Sequence, residues 1–157
     1  MELTEIPLNT SGSVYRSAMP YSTYDRGGDL IPEYKDRKIS WIIMLSSDEE
    51  VQRITGYDLR QLYRSEGFDI LYLPIPDFGT PDMVALRDMI QKALSISQSG
   101  KGLVIHCHAG LGRTGMFVAC LAKEGLDYSS EEAIKWIRDL IPGAVEDPEQ
   151  EMIVRSF

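Results

Sequence analysis

The sequence predicts a single α/β domain over residues 1–157, built on a central, mostly parallel sheet of four to five strands flanked by helices. Two observations lead to this fold class. The 157 residues match the usual length of one domain, and 43% hydrophobic with 25% charged residues is an ordinary globular composition. Short branched apolar runs also alternate with stretches of helical periodicity, which is the pattern of strands joined by crossover helices.

Three apolar runs have the length and composition of buried strands, namely Trp41–Leu45, Ile70–Leu73 and Leu103–Cys107. Val14–Tyr15 is expected to add a short edge strand. In parallel sheets, ligands bind beyond the carboxyl ends of the strands. The loop that follows Leu103–Cys107 is rich in glycine and lies at such an end, so it is the first candidate for a functional site.

Helical segments lie between and after these strands. They are predicted at residues 29–38, 57–67, 80–100, 113–123, 129–141 and from 147 onward. Thr80 is expected to cap the third of them, with Pro81 at its first helical position. The 113–123 segment is almost wholly apolar, so we expect it to be buried at the centre of the domain. Ser129 and Glu132 have the spacing of a capping box.

The charge balance argues against several classes of partner. The net charge is −8 and lysine and arginine do not cluster, which disfavours binding to nucleic acids or anionic membranes. Cys107 and Cys120 are the only cysteines, too few for a disulfide framework. The first residues are acidic and polar, unlike a signal peptide, and no apolar run reaches about 18 residues. We expect a soluble, cytoplasmic protein that acts as a monomer.

The most informative stretch is Val104–Gly115, VIHCHAGLGRTG. Cys107 ends a strand in it, and Arg113 opens the following helix. The residues between them are His108, Ala109, Gly110, Leu111 and Gly112. Glycines can adopt the backbone angles that turn successive N–H groups toward one centre, and the helix adds its own free N–H groups and positive end. Arg113 supplies a planar, permanently charged fork that matches two oxygens of a phosphoryl group.

This environment also acts on Cys107. A thiol at a helix N-terminus beside a guanidinium group is stabilised as the thiolate, which is the nucleophilic form. A thiolate lying under a bound phosphoryl group is a nucleophile already in place. The stretch therefore predicts a cysteine-based phosphoryl-transfer site.

Residues 106–114, HCHAGLGRT, resemble the H-C-x-x-G-x-x-R-[S/T] signature of the protein tyrosine phosphatases. The chain length and the segments DLIPEYKDRKI, PDFGTPD and GAVEDPEQE are similar to the small atypical dual-specificity phosphatases and the kinase-associated (cyclin-dependent kinase inhibitor) phosphatases. The resemblance covers roughly residues 12–155. It implies a phosphatase-type fold with a strand, phosphate-binding loop (P-loop) and helix at the active site. It also implies hydrolysis through a phosphocysteine intermediate, with no metal or organic cofactor.

The same resemblance implies partners and a second catalytic group. The partner is a phosphorylated protein, carrying phosphotyrosine and also phosphoserine or phosphothreonine, and phosphate, sulfate or vanadate would occupy the loop as inhibitors. A general acid is expected on a mobile loop about thirty residues before the cysteine, and Asp77 stands there, just after the ILYL strand. Asp82 is the alternative, although acids are common in the first turn of a helix for electrostatic reasons.

Other residues near the loop have candidate supporting roles, and two of them, Thr114 and Gln150, have two each. By resemblance, Thr114 donates a hydrogen bond to the thiolate, but it also fits an ordinary first-turn position. His106 is expected to support the loop by hydrogen bonding to backbone near Cys107. Gln150 either positions water for the second step, as the resemblance implies, or only caps the last helix. Glu146 is a weaker candidate for positioning that water. Nothing in the sequence assigns a role to Arg16.

Several alternative functions remain open. His106, Cys107 and His108 could hold zinc, but neighbours on a strand point in opposite directions and structural zinc takes four ligands at wider spacing. Phosphatases of inositol or lipid phosphates often carry lysines where this loop has His108 and Leu111, and a phosphatase of RNA 5′-phosphates would also need positive charge. A phospho-binding module without turnover would normally lack the cysteine or the acid. Leu140–Gly143 stands where many small relatives have an arginine before Pro-Gly, which weakens the case for a secondary phosphate contact there.

Overall fold

A five-stranded sheet runs through the centre of the protein, whose computed structural model describes residues 3–157. The strands are β1 (Thr4–Ile6), β2 (Val14–Ser17), β3 (Ile39–Met44), β4 (Asp69–Tyr72) and β5 (Gly102–His106). The helices in this part of the chain are α1 (Leu30–Asp36), α2 (Asp48–Thr55), α3 (Leu59–Ser65), α4 (Met83–Gln98), α5 (Gly112–Gly125), α6 (Ser130–Leu140) and α7 (Pro148–Ser156).

The strand order is β1-β2-β5-β3-β4, and every neighbouring pair except β1 with β2 is parallel. Ser17, Met44 and His106 lie side by side as the last residues of β2, β3 and β5. The carboxyl ends of these three strands are therefore level, and the loop after β5 begins between its two neighbours. The predicted fold class, a mostly parallel sheet flanked by helices, is confirmed.

Each face of the sheet is covered by its own apolar layer. Along β5, Leu103 and Ile105 pack into the layer that contains α4 to α7, whereas Val104 packs into the opposite layer with α1 to α3. This alternation follows from the two-residue period of a strand. Helix α5 is buried from Gly112 to Ala122, as its apolar sequence predicts, and it contacts α4, α6 and α7. The loop before α5 is thus anchored at both of its ends.

Two elements escape the sequence patterns described above. Strand β1 is only three residues long, yet it pairs antiparallel with β2, so β2 is an inner strand and not the predicted edge. Half of the residues of helix α2 are charged, and Val51 is its only buried apolar residue, which is too little for a periodicity argument. It begins instead on a capping signal, because the Ser47 side chain accepts a hydrogen bond from the Glu50 N–H at 3.2 Å.

Helix α4 begins two residues later than predicted. Asp82, and not Thr80, is its N-cap, and the Asp82 carboxylate accepts a hydrogen bond from the Ala85 N–H at 2.9 Å. Pro81 lies before the cap and not at the first helical position. A carboxylate is both a strong acceptor and a negative charge at the positive end of the helix, so Asp82 caps better than Thr80 would.

The starts of α6 and α7 agree with their predicted caps. Ser129 and Glu132 exchange both hydrogen bonds of a capping box. Pro148 is the first residue of α7, and the Asp147 carboxylate accepts a hydrogen bond from the Gln150 N–H at 2.9 Å. None of the helices among residues 3–157 is long and apolar enough to cross a bilayer.

Candidate active site

The loop between β5 and α5, residues 107–111, turns its carbonyl groups outward. Each of these carbonyls accepts a hydrogen bond from a group outside the loop. In loop order, the donors are His106 Nδ1, the Met19 N–H, Arg16 for two carbonyls in succession, and the N–H groups of Gly115 and Val145. A trans peptide points its C=O and the following N–H in opposite directions, so the N–H groups face inward. They form an anion-binding nest around Cys107 at the positive end of α5.

Two loop glycines are required by close contacts. Gly110 has a φ of +78°, and a Cβ there would overlap the backbone of β2 and the guanidinium of Arg16. A Cβ on Gly112 would overlap the side chains of Glu146 and Gln150. The loop is therefore held between β2 on one side and the start of α7 on the other.

Arg113 is buried, and three of its donors are already engaged. Nη1 donates to Oε1 of Glu50 at 2.8 Å and to the Ile75 carbonyl at 2.9 Å, and Nη2 donates to Oε2 of Glu50 at 2.9 Å. A guanidinium has five N–H donors, so the Nε hydrogen and the second Nη2 hydrogen remain. These two lie along one edge of the guanidinium and match two oxygens of a phosphoryl group.

The Glu50–Arg113 pair is ionised. Burial by itself would raise the pKa of the Glu50 carboxyl, but the hydrogen bonds and the charge of Arg113 outweigh burial and lower it. Burial likewise opposes the charge on Arg113, and the bond to Glu50 reverses that effect and raises the pKa of Arg113. The fork is thus permanently charged and fixed in its plane.

Asp77 lies on the loop after β4 and faces this fork. Its Oδ1 is 3.3 Å from Nη2 of Arg113, and 52% of its side chain is exposed. The neighbouring Phe78 has a φ of +58°, and the residue is 63% exposed at the rim of the same pocket. Asp82 is engaged elsewhere, as the cap of α4. Of the two candidate acids, the structure brings Asp77 to the site.

Cys107 lies at the base of a pocket of about 160 Å³ and is only 3% exposed. The pocket walls are Tyr24, Asp77, Phe78, His108, Ala109, Arg113 and Glu146. The hydroxyl of Thr114, in the first turn of α5, is buried and has no hydrogen-bond partner among the described residues. An unpaired buried hydroxyl is costly, so Thr114 is poised to donate when an acceptor comes within reach.

His106 supports the loop from behind and is held through both ring nitrogens. Nδ1 is 3.0 Å from the Cys107 carbonyl oxygen and therefore carries the proton, and Nε2 accepts from the Tyr63 hydroxyl at 2.8 Å. Burial lowers the pKa of His106 to about 4, so the ring is neutral at neutral pH. The structure places this backbone hydrogen bond where the sequence analysis expects it.

Glu146 and Gln150 approach the loop from the start of α7. Gln150 is buried, and its Oε1 accepts from the Glu146 N–H at 2.8 Å. Its side chain therefore does not complete a capping box, which would require a bond to the N–H of Asp147. The Glu146 side chain lines the pocket, whereas that of Gln150 packs beside it on Gly112. Glu146, the weaker candidate from the sequence, is thus the more exposed to a ligand.

The loop side chains face different surroundings. His108 lines the pocket and contacts Tyr24 edge to face, with 5.5 Å between the ring centroids. Ala109 also lines the pocket. Leu111 instead packs against the apolar layer of α4 to α7, so it is not a wall of the pocket.

His106 and His108 do not face a common metal site. His106 bonds to Tyr63, His108 contacts Tyr24, and residues 3–157 contain no group of three or more side chains arranged to hold a metal ion. The donor set that the zinc alternative requires is not found in this part of the chain. Cys120 lies in the core of α5, where burial raises the pKa of its thiol to about 12.

Two residues of the site, Glu50 and Tyr24, are not found from the sequence, and a third, Arg16, is given no role there. Glu50 lies 63 positions before Arg113, and its only signal is the Ser47-x-x-Glu50 spacing of a capping box, in which the glutamate would bond back to the cap. Tyr24 belongs to an irregular segment without periodicity. Arg16 is named by the sequence analysis, but only the structure shows that it contacts the P-loop.

Comparison with known proteins identifies relatives of this arrangement. Residues 29–126 match the family model Tc-R-P, described as a polymorphic toxin system, DSP-PTPase phosphatase. Dual specificity protein phosphatase CDC14B of mouse is 34% identical over 125 residues, which cover 79% of this chain and 23% of that protein. The chain therefore spans less than a quarter of the length of that curated relative.

Solved structures share the whole fold. Kinase associated phosphatase, with its catalytic cysteine substituted by serine, has a TM-score of 0.90 at 25% identity and covers 100% of this chain and 93% of its own. Tk-PTP in its active form has a TM-score of 0.81 at 28% identity, covering 99% and 97%. PTPMT1 in complex with PI(5)P has a TM-score of 0.78 at 19% identity, covering 97% and 92%, which is a likeness of fold alone.

The family model extends over more than half of the chain and includes β3, β4, β5 and the P-loop. The similarity to CDC14B and to kinase associated phosphatase agrees with it, and the resemblance drawn from HCHAGLGRT is confirmed. The chain belongs to the DSP-PTPase family, in the atypical dual-specificity branch of the protein tyrosine phosphatase superfamily.

Proposed function

We propose that the protein is a cysteine-dependent phosphatase that hydrolyses phosphoprotein monoesters in two steps. The observation that carries this proposal is the P-loop, whose carbonyls point outward, whose N–H groups face Cys107, and beside which Arg113 keeps two donors for a ligand. A transferring phosphoryl group spreads negative charge over three equatorial oxygens, and these donors match them. Preorganised donors of this kind supply much of the stabilisation of a transition state.

In the first step, the Cys107 thiolate attacks phosphorus opposite the leaving oxygen. The S–P bond forms, the P–O bond to the substrate breaks, and the Asp77 carboxyl gives its proton to the leaving oxygen. The position of Asp77 supports this role, because its Oδ1 is 3.3 Å from the Arg113 nitrogen that would hold a phosphoryl oxygen. The product of the step is a phosphocysteine and a free tyrosine, serine or threonine hydroxyl.

In the second step, water attacks the phosphocysteine. Asp77, now ionised, takes a proton from the water as the O–P bond forms and the S–P bond breaks. The Thr114 hydroxyl, buried without a partner, would donate to the departing sulfur. Glu146 and Gln150 would position the water, since Glu146 lines the pocket and Gln150 anchors its backbone. Inorganic phosphate and the thiolate are released without a metal or organic cofactor.

The pocket supports phosphorylated side chains of proteins as substrates. At about 160 Å³ it is smaller than sites that enclose whole ligands, which are typically about 300–1,000 Å³, so it fits a phosphoryl group and the end of the side chain that carries it. Asp77 and Glu146 place carboxylates on its walls, which disfavours inositol polyphosphates and RNA 5′-triphosphates through charge repulsion. We expect phosphotyrosine to be hydrolysed fastest, because phenoxide leaves more readily than an alkoxide.

The substrate class is tested with three substrates, all assayed in EDTA. Two are peptides of one sequence that carry either phosphotyrosine or phosphothreonine, and the third is a phosphoinositide. Both peptides should be hydrolysed, phosphotyrosine faster, and the phosphoinositide slowest. A kcat/KM ratio between the peptides above about 10⁴, or ~5.5 kcal/mol, would mean a tyrosine-only pocket and would contradict dual specificity. Faster hydrolysis of the phosphoinositide than of either peptide would overturn the protein substrate.

Substitution of the two cysteines tests the nucleophile. Cys107→Ser should abolish turnover but keep the affinity for inorganic phosphate, because the P-loop and Arg113 are unchanged. Cys120→Ala is the matched control, since Cys120 lies in the core of α5 away from the pocket, and it should keep near-normal rates. Residual activity above a few per cent in Cys107→Ser would remove Cys107 from its proposed role.

A further inference from the structure

Arg16 is a buried arginine on β2 whose donors are turned toward the P-loop. The residue is 4% exposed. Its Nε donates to the Gly110 carbonyl at 3.0 Å, and its Nη2 donates to the Gly110 carbonyl at 2.7 Å and to the Ala109 carbonyl at 3.2 Å. The remaining contact runs from Nη1 to the Thr4 hydroxyl at 3.4 Å. One side chain thus holds two successive carbonyls of the loop.

The charge on Arg16 is unusually placed. Buried arginines are normally paired with a carboxylate, because an unpaired buried charge is strongly destabilising. Among residues 3–157, no ion pair connects Arg16 to an aspartate or glutamate. Burial lowers the pKa of Arg16, and interactions with Cys107 and Tyr34 partly offset that effect. No carboxylate in this part of the chain compensates Arg16, and the ionisable groups that favour its charged form are Cys107, at the active site, and Tyr34.

We infer that Arg16 is a positioning residue for phosphoryl transfer, which holds the Ala109 and Gly110 carbonyls outward so that the next two N–H groups face the phosphoryl group. Its positive charge is balanced by the thiolate and by the bound phosphoryl group. This inference rests on the proposed function of the P-loop. It adds a second arginine to the site. Arg16 contacts the P-loop from the side of β2, whereas Arg113 lines the pocket.

The surroundings of Arg16 suit a rigid brace. Arg16 pairs with Thr4 of β1 and with Ile105 of β5, so its backbone is fixed on both sides. Gly110 lies so close that a Cβ there would overlap the guanidinium. Two carbonyls in succession also require a planar fork, because an ammonium group is a compact point donor at the end of a flexible stem.

Phosphate affinity provides a test that does not depend on turnover. Calorimetric titration with inorganic phosphate would compare the wild type with Arg16→Lys and Arg16→Met. We expect both variants to bind phosphate at least ten-fold more weakly and to lose kcat as well as kcat/KM on the phosphotyrosine peptide. A lysine keeps the charge but cannot hold both carbonyls, so Arg16→Lys should not restore affinity.

Two neighbouring variants separate positioning from plain stability. Thr4→Val removes the contact of Arg16 that lies outside the loop, and Tyr34→Phe removes the hydroxyl that bonds to Ser17 on the same strand at 2.6 Å. Tyr34→Phe should lower the melting temperature, and both variants should keep phosphate affinity within about two-fold of the wild type. A merely structural role for Arg16 would likewise change stability but not the affinity of the folded protein.

The inference is overturned if folded Arg16→Lys or Arg16→Met binds phosphate less than about ten-fold more weakly than the wild type. If Arg16→Met does not fold, Arg16→Lys decides alone, because it keeps the charge and most of the length of the side chain. A wild-type protein that binds phosphate but hydrolyses no peptide would contradict the proposed function. The phosphate titration would still decide the role of Arg16 in that case.

Discussion

The Glu50 carboxylate holds both terminal nitrogens of Arg113, at 2.8 and 2.9 Å, and both side chains are buried. Removing one partner from such a pair leaves the other charge uncompensated, which typically costs about 3–5 kcal/mol. Here the loss has a second effect, because Glu50 also fixes the plane of the fork that would bind a phosphoryl group. Stability and catalysis therefore depend on the same two hydrogen bonds.

Replacing Glu50→Gln should lower the free energy of unfolding by about 3 kcal/mol and reduce kcat on the phosphotyrosine peptide at least ten-fold. Urea unfolding and steady-state kinetics measure the two effects. Glu49→Gln is the matched control, because Glu49 is the exposed neighbour on the same helix and should change neither quantity. If the two variants have the same free energy of unfolding and the same kcat, the Glu50–Arg113 pair contributes to neither stability nor catalysis.

The assignment of the acid is tested by Asp77→Asn. It should lower kcat by roughly 10²–10⁴, the usual share of general acid–base catalysis, and the loss should shrink for aryl phosphates whose leaving groups need no proton. Asp82→Asn should keep near-normal rates, because asparagine can still cap α4. Glu146→Gln, measured beside them, should lose less than Asp77→Asn. If Glu146→Gln instead shows the larger, leaving-group-dependent loss, Glu146 is the acid.

His106 makes stability depend on pH. Its pKa is about 4 in the folded protein and about 6.5 in an unfolded chain, so between these values the unfolded state binds the extra proton. Stability is full above about pH 6.5, falls as the pH falls, and loses up to ~3 kcal/mol by about pH 4. Urea unfolding at pH 7.5 and 4.5 should therefore show a larger loss in the wild type than in His106→Gln. Equal losses would contradict a buried neutral ring.

At the scale of elements, α2 and α6 begin with caps of similar geometry, but the glutamates in their first turns bond to different partners. Ser47 caps α2 by accepting from the Glu50 N–H at 3.2 Å, and Ser129 caps α6 by accepting from the Glu132 N–H at 3.1 Å. The Glu132 carboxylate returns to its own cap, whereas that of Glu50 is used by Arg113. Helix α2 is thus coupled to the active site, and α6 is not coupled through its cap.

Ser47→Ala and Ser129→Ala should each lower the free energy of unfolding by about 1 kcal/mol, the usual cost of losing a cap. Only Ser47→Ala should also raise the KM for the phosphotyrosine peptide or lower kcat, because fraying of α2 releases Glu50. Thermal melts and kinetics on both variants make the comparison. Equal kinetics would show that Glu50 is held without help from the start of its helix.

The elements that the sequence predicts are those whose signals are local. Branched apolar runs locate β3, β4 and β5, and the apolar segment after Arg113 locates α5. Strand β1 is too short to carry a period, and α2 buries too few apolar residues to show a stripe. Strand β1 is held by pairing with β2, and α2 is tied to the distant Arg113 through Glu50; neither contact produces a periodic pattern in the sequence.

The same distinction applies to the site. Cys107, Arg113 and the loop between them are adjacent in sequence, so their chemistry follows from a single motif. Arg16 and Glu50 reach the P-loop from 94 and 63 positions away, and the fold alone brings them there. Asp77 lies between these cases, because the end of a strand predicts the edge of the sheet it occupies but not which loop acid turns inward.

At the scale of the whole molecule, the site works against the charge of the protein that contains it. The net charge is −8, while the P-loop must attract a phosphoryl dianion. The field of the protein therefore slows the approach of acidic substrates, and salt screens that field over about 10 Å at 0.1 M. Contacts inside the buried loop are screened much less.

Raising NaCl from about 20 to 200 mM should increase kcat/KM for a phosphotyrosine peptide flanked by acidic residues and decrease it for a peptide flanked by basic ones. The effect should appear in kcat/KM and not in kcat, because it concerns the encounter. Parallel salt series with the two peptides give the measurement. If kcat/KM changes with NaCl in the same way for both peptides, the field of the net charge does not act on substrates at the entrance of the pocket.

The close contacts at Gly110 and Gly112 bear on how other chains of this kind can be found in genomes. The motif H-C-x-x-G-x-x-R leaves position 112 free, yet a Cβ there would overlap Glu146 and Gln150. Gly110 is similarly tied to Arg16. A search pattern that links 110 with 16, and 112 with 146 and 150, would span nearly the whole domain. It would separate chains that brace the loop in this way from chains that share only the motif.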